Sequence, residues 1–126
     1  MLKTLYTNDA PGAVGPYSQG VVAGPFVFVS GQVPLVPSTG ELIKGDIKAA
    51  TRQCLENAKA ILEEAGLALK DVAKVTVLLN DINEFGDMNT VYGEYFSDHK
   101  PARAAFEVAK LPLGADVEIE MIAYKA

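Results

Sequence analysis

A chain of 126 residues, 49% hydrophobic and 21% charged, has the size and composition of one globular domain, which argues against two domains, a disordered chain or a fibrous repeat. Eleven Lys and Arg against sixteen Asp and Glu give a net charge of −5, the wrong sign for a surface that tracks phosphates, so nucleic acid is disfavoured as a partner. The single cysteine, Cys54, cannot close an internal bridge and fits a reducing, cytoplasmic setting.

The first residues, MLKTLYTNDAPG, lack the apolar core of a signal peptide, and nothing reads as an export sequence. Residues 10–40 contain no Asp, Glu, Lys or Arg, yet Pro11, Pro16, Pro25, Pro34 and Pro37 interrupt them too often for a membrane helix. Uncharged surface rich in Gly and aromatic residues is typical of interface cores, so another subunit is expected to cover part of this stretch. Within it, Val21–Ala23 and Phe26–Ser30 flank Gly24-Pro25 and predict a hairpin. An extended loop runs from Gln32 to Gly45, and Asp46 offers a cap to a helix.

Ile47, Ala50, Thr51, Cys54, Leu55, Ala58, Ile61 and Leu62 then form one stripe at helical spacing, with Gly66 as the stop. Cys54 lies on that stripe without an adjacent base and reads as core. Val72–Leu79 is almost wholly apolar and predicts a strand buried on much of both faces, reached by a crossover. Asp81 with Glu84 resembles a capping box for a second helix, whose apolar face runs from Phe85 through Met88, Val91, Tyr92 and Tyr95 to Phe96 before Pro101 ends it. Arg103–Val108 reads as a strand, Leu111–Gly114 as a turn and Val117–Tyr124 as the last strand. The predicted order is ββαβαββ: one α+β domain over residues 1–126, with two helices on one face of a mixed sheet.

Strand alternation puts Arg103, Ala105 and Glu107 on one face. An arginine beside residues with almost no side chain can present its planar fork to a carboxylate, although from spacing alone a structural ion pair with a glutamate is the commoner outcome. On the last strand Glu118 and Glu120 share a face at a separation of about 7 Å, near enough for each to raise the other's pKa and for one to hold a water; a solvated sheet edge is the bland alternative. Gly15-Pro16-Tyr17-Ser18-Gln19-Gly20 and Ser30-Gly31-Gln32 put glycine beside hydroxyl and amide groups, which suits either close approach of a ligand to backbone N–H groups or simple turn geometry. Tyr17 is better suited to packing and hydrogen bonding than to acid chemistry, since its phenol ionises far above neutrality. His99 stands alone in a loop without a second ligand at metal spacing. No phosphate-binding loop, dinucleotide fingerprint or nucleophile elbow occurs, leaving water as the simplest attacking group.

Taken together, Gly15–Gly20, Phe28-Val29-Ser30-Gly31-Gln32-Val33-Pro34, Asn57–Gly66, Pro101-Ala102-Arg103 with Glu107-Val108-Ala109-Lys110-Leu111-Pro112, and Val117-Glu118-Ile119-Glu120 resemble the RidA/YjgF (Rid) family over essentially the whole chain. The resemblance implies a chorismate-mutase-like α+β fold, a homotrimer with a cleft at each subunit interface, and cofactor-free hydrolysis of enamines and imines such as 2-aminoacrylate, 2-iminopropionate and 2-iminobutyrate to 2-keto acids and ammonia. It implies that Arg103 pairs with the substrate carboxylate and Glu118 activates the water. Tyr17, Ser30, Gly31 and Asn89 would line the cleft, from the neighbouring subunit. Many archetypal members carry cysteine where Ala105 stands here; the main-chain groups at Ala105 survive, so imine hydrolysis is expected to persist with a changed preference for side-chain size. The rival reading is a non-catalytic trimer that senses small carboxylates such as 2-ketobutyrate in the same cleft.

Overall fold

The sequence pattern builds a mixed sheet with two helices laid across one side. The computed structural model describes residues 1–126: strands β1 (Lys3–Leu5), β2 (Gly20–Ala23), β3 (Phe26–Gln32), β4 (Val72–Leu79), β5 (Ala102–Glu107) and β6 (Val117–Tyr124), with helices α1 (Ile47–Glu64) and α2 (Phe85–Tyr95). The six strands lie in the order β1-β2-β3-β6-β4-β5, and only the β4–β5 pair is parallel. Strand β1 adds to the predicted order: it is three residues long, sits at the sheet edge, and buries only Leu5.

Helix α1 is set by local signals at both ends. The Asp46 side chain accepts a hydrogen bond from the Ala49 N–H at 3.1 Å, satisfying one of the orphan donors of the first turn. At the other end Gly66 takes φ +76°, and the Leu67 and Gly66 N–H groups donate to the Leu62 and Glu63 carbonyls, a Schellman closure that side chains with a Cβ resist. The eight stripe residues of α1 are all buried, Cys54 among them, and Asn57 is buried with them. Helix α2 begins differently from its prediction. Asp81 accepts from the Asn83 N–H at 2.9 Å and caps a single 3-10 turn, Ile82–Glu84; the Glu84 side chain makes no return bond, and the α-helix proper starts at Phe85.

The core lies between helices and sheet. Val75, Val77 and Leu79 of β4 meet Val117, Ile119, Met121 and Ala123 of β6, Val27 and Val29 of β3, and the apolar stripes of both helices. The expectation that β4 is buried on both faces is met on one face only: Thr76 and Leu78 are half-buried and Lys74 is exposed. Their face of the sheet carries no helix. Across it run Phe26 and Tyr124, edge to face at 5.5 Å, with Phe28 opposite Ile122 and Phe106 opposite Leu78. Phe26, Phe28, Phe106 and Tyr124 are each exposed by 43–48% in the single chain.

Because Gly66 occupies the left-handed region, Gly66→Ala should lower the unfolding free energy by about 1 kcal/mol, read as a lower urea midpoint with an unchanged slope.

Candidate functional site

Strand β3 contains one residue more than the stretch of β6 it faces. Val29 pairs with Met121 and Gln32 with Ile119, so Ser30 and Gly31 form a bulge that bends the strand away from a regular ladder. Side chains hold the bulge. The Ser30 hydroxyl donates to the Ser18 carbonyl at 2.6 Å, and Gln32 Nε2 donates to the Ser30 carbonyl at 3.0 Å. Against Gly31, on the helix-free face, lies the side chain of Glu118, two residues along β6 from Glu120, which the bulge faces. The Glu118 carboxylate lies where a side chain at position 31 would begin: a Cβ on Gly31 would overlap Glu118 Oε2 and come within 2.9 Å of Cδ. A larger residue at this position would have to push the Glu118 carboxylate aside, so glycine here serves the carboxylate and not an unusual φ.

Glu118 is half-buried, and its pKa is raised above the ordinary carboxylate value, chiefly by loss of hydration and secondarily by the neighbouring charge of Glu120. Glu120 is exposed and shows that the two carboxylates differ in environment despite sharing a face. A cavity of about 490 Å³ opens beside them. Tyr17, Ser30, Gly31, Glu118 and Glu120 supply its polar side, and Val14, Val33, Leu35, Pro112 and Leu113 an apolar wall.

Three of the chain's four buried polar residues fix the segments around this cavity. Gln19 Oε1 accepts from the Thr7 N–H at 2.7 Å, while its Nε2 donates to the carbonyls of Pro11 at 2.9 Å, Thr7 at 3.0 Å and Ala10 at 3.3 Å. Asn57 Nδ2 reaches from α1 to the Leu35 carbonyl at 2.9 Å, and its Oδ1 accepts from Gln53 at 2.8 Å. Gln32 is the third. Spacing along the chain assigns Asn57 no such role; a lone amide beside an apolar stripe is its only signal.

Arg103 lies elsewhere. It pairs across β4 with Val75, on the helix-covered face, whereas Glu118 pairs across β4 with Leu78, on the open face. Its guanidinium stacks 4.7 Å from the Tyr92 ring centroid and 5.4 Å from that of Phe85, and Nη1 donates to Asn89 Oδ1 at 2.6 Å. The expected alternative, a structural ion pair with a glutamate, is not formed: the two salt bridges of the chain are Lys44–Asp116 and Arg52–Glu94. Arg103, Asn89, Tyr92, Phe96, Lys100 and Pro101 instead line a second cavity of about 320 Å³ together with Gly93.

The candidate residues thus fall into two groups. Tyr17, Ser30, Gly31 and Glu118 share one cavity; Arg103 and Asn89 share the other; no single cavity of one chain contains both. Ala105 lines neither and packs against the core. His99 is half-buried and bonds through Nε2 to the Val72 carbonyl at 2.6 Å, tying the segment after α2 to the start of β4. No helix is long and apolar enough to cross a membrane.

An α+β sheet with this topology and these two cavities defines a class, and sequence comparison identifies it. Residues 7–125 match the family described as endoribonuclease L-PSP, and the chain belongs to this family, the YjgF/RidA family. It is 58% identical over 125 residues to a RutC family protein of Pyrococcus horikoshii, covering 99% of each chain. It is 46% identical over 128 aligned positions to the 2-iminobutanoate/2-iminopropanoate deaminase of Escherichia coli, again covering 99% of each. Its structure superposes on E. coli TdcF, solved with bound serine, at a TM-score of 0.94, with 45% identity over 98% of this chain and 99% of that one. The fold is YjgF-like, and the family relationship supports chemistry of the enamine and imine deaminating type.

Replacing Gln19 by Leu strands the carbonyls and the N–H it serves, and should cost about 2 kcal/mol of unfolding free energy, measurable by chemical denaturation.

Proposed function

We propose that the protein hydrolyses 2-imino acids, among them 2-iminopropionate and 2-iminobutyrate with their enamine tautomers, to 2-keto acids and ammonia, and does so as a homotrimer. The observation that carries this reading is the division of the site: an arginine fork without a carboxylate partner on one face of the sheet, and a half-buried carboxylate beside a cavity on the other. In a cyclic assembly the open sheet face of one subunit meets its neighbour, so the Glu118 cavity of one chain and the Arg103 cavity of the next close into one cleft. The exposed Phe26, Phe28, Phe106 and Tyr124 give that contact an apolar core.

In this cleft Arg103 donates two parallel hydrogen bonds to the substrate carboxylate, held in plane by the rings of Tyr92 and Phe85 and by Asn89. The imine carbon then lies near Glu118. Water attacks it while the Glu118 carboxylate takes one of the water's protons and hands it to the imine nitrogen, giving a neutral carbinolamine; Glu118 then takes the hydroxyl proton and passes it to the same nitrogen as the C–N bond breaks, so that ammonia leaves as the carbonyl forms. One water is consumed, and the carboxyl group is restored to its starting state. An imine is already electrophilic, so positioning and one proton-transfer group suffice. Tyr17, Ser30 and Gly31 line the Glu118 side. The serine in the TdcF structure supports a cleft of this fold that accepts a small amino-acid-like carboxylate. Net charge −5 speaks against RNA as the substrate, despite the family's description.

The test generates the imine with a dehydratase and follows keto-acid release against semicarbazide trapping. Wild type should accelerate release; Arg103→Ala should abolish the acceleration, and Glu118→Gln should lower turnover by about 100-fold or more while leaving 2-ketobutyrate bound. A chain that only senses carboxylates would bind 2-ketobutyrate in every Glu118 variant and accelerate nothing.

The raised pKa of Glu118 sets the pH dependence. The ionised form is the base, so kcat/KM should fall as pH drops through a value above the ordinary glutamate range, and Glu120→Gln should move that limb downward by removing one of its two causes. Stability runs the other way: a carboxyl whose pKa is raised on folding favours the fold when protonated. Glu118→Gln should therefore raise Tm at neutral pH, with the gain vanishing below the ordinary glutamate pKa.

A further inference from the structure

The turn Pro112–Gly114 carries the one non-glycine residue of the chain with positive φ, Leu113 at φ 61° and ψ 13°. Gly114 follows at φ 71°, and the Ala115 N–H donates to the Pro112 carbonyl at 3.1 Å, so both central residues of a tight turn are left-handed. Such turns are filled by Gly, Asn or Asp, because a larger side chain there strains the backbone. A leucine is the choice that turn geometry alone does not explain.

The surroundings hold the strained turn in place. Lys44 donates to the Gly114 carbonyl and lies 3.2 Å from Asp116 Oδ1, whose second oxygen accepts from the Gly45 N–H at 2.9 Å. The Leu113 side chain forms part of the apolar wall of the Glu118 cavity, with Val33 and Leu35. Those two residues are fixed in turn by the buried Asn57. The wall is thus built from two braced segments, and it faces the Glu118 carboxylate lying over Gly31.

Resting on the proposed imine chemistry, we infer that Leu113 is a specificity-determining residue: it closes the apolar end of the cleft against which the side chain of a 2-imino acid packs, and so sets the side-chain length the site prefers. Rigid apolar walls discriminate by contact area, at about 10-fold or more for each methylene gained or lost.

The test reads binding and turnover separately. Affinities of pyruvate and of its longer homologue α-ketoisocaproate are measured by calorimetry for wild type, Leu113→Ala and Leu113→Gly, and kcat/KM is measured for the two corresponding imines. In both variants the longer acid should lose more affinity than the shorter one, so that the ratio of the two affinities falls about tenfold. Leu113→Gly should also melt no lower than wild type, because glycine relieves the left-handed strain, which separates lost contact from lost structure. An unchanged ratio in folded variants overturns the role of Leu113, and if wild type still hydrolyses imines the proposed activity stands without it. A falling ratio in a protein that hydrolyses no imine upholds Leu113 and overturns the hydrolase reading. Failure of wild type to bind either acid overturns both.

Discussion

Two helices cover one face of a six-stranded sheet and no more, and here the strands carry apolar side chains on both faces. The buried face is filled by α1 and α2. On the other, Phe26, Phe28, Phe106 and Tyr124 stay exposed and are only partly relieved by packing on one another. Free energy favours removing such a surface from water, at roughly 25 cal/mol per Å² of apolar area. The same open face carries Glu118, so whatever covers the aromatic residues also borders the carboxylate. The proposed assembly and the proposed chemistry are in this way drawn from one constraint.

A second constraint operates at the scale of single atoms. A carboxylate set against a strand needs a gap in that strand, and the bulge at Ser30-Gly31 supplies it: the extra residue bends β3, and the missing Cβ leaves room for Glu118. Gln32 gives the Ser30 carbonyl a partner and the Ser30 hydroxyl ties the bulge to the Ser18 carbonyl, while Gln19 and Asn57 satisfy carbonyls of the neighbouring loops. Buried amides are costly when unpaired, so each is a stake that fixes the loop around it.

Much of this was legible in the sequence where the signal is local. The α1 stripe, the Asp46 cap and the Gly66 stop are short-range patterns, and the structure reproduces them at the expected residues. The alternation that put Glu118 and Glu120 on one face of the last strand also holds. Features that depend on pairing across the sheet were not legible. Strand β1 is only three residues long and carries no alternation of its own, existing through its ladder with β2. The Asp81-Glu84 pattern fits a capping box, but a 3-10 turn intervenes because Asp81 satisfies the nearer N–H of Asn83. Whether Arg103 and Glu118 share a face depends on the registers of β5 and β6 against β4, which no spacing within either strand reveals. The buried amides are invisible for a related reason: a single Gln or Asn, whether in a loop, a strand or a helix, has no period of its own.

The separation of Arg103 and Glu118 on opposite sides of the sheet also has a genetic meaning. In the ring proposed here each cleft would draw one group from each of two chains, so a defect in either group would not be confined to the chain that carries it. A chain lacking the arginine and a chain lacking the glutamate, each inert alone, would create one junction in a mixed ring where both intact halves meet. Two silent alleles could then restore a working protein, and one defective allele could spoil sites built on healthy chains.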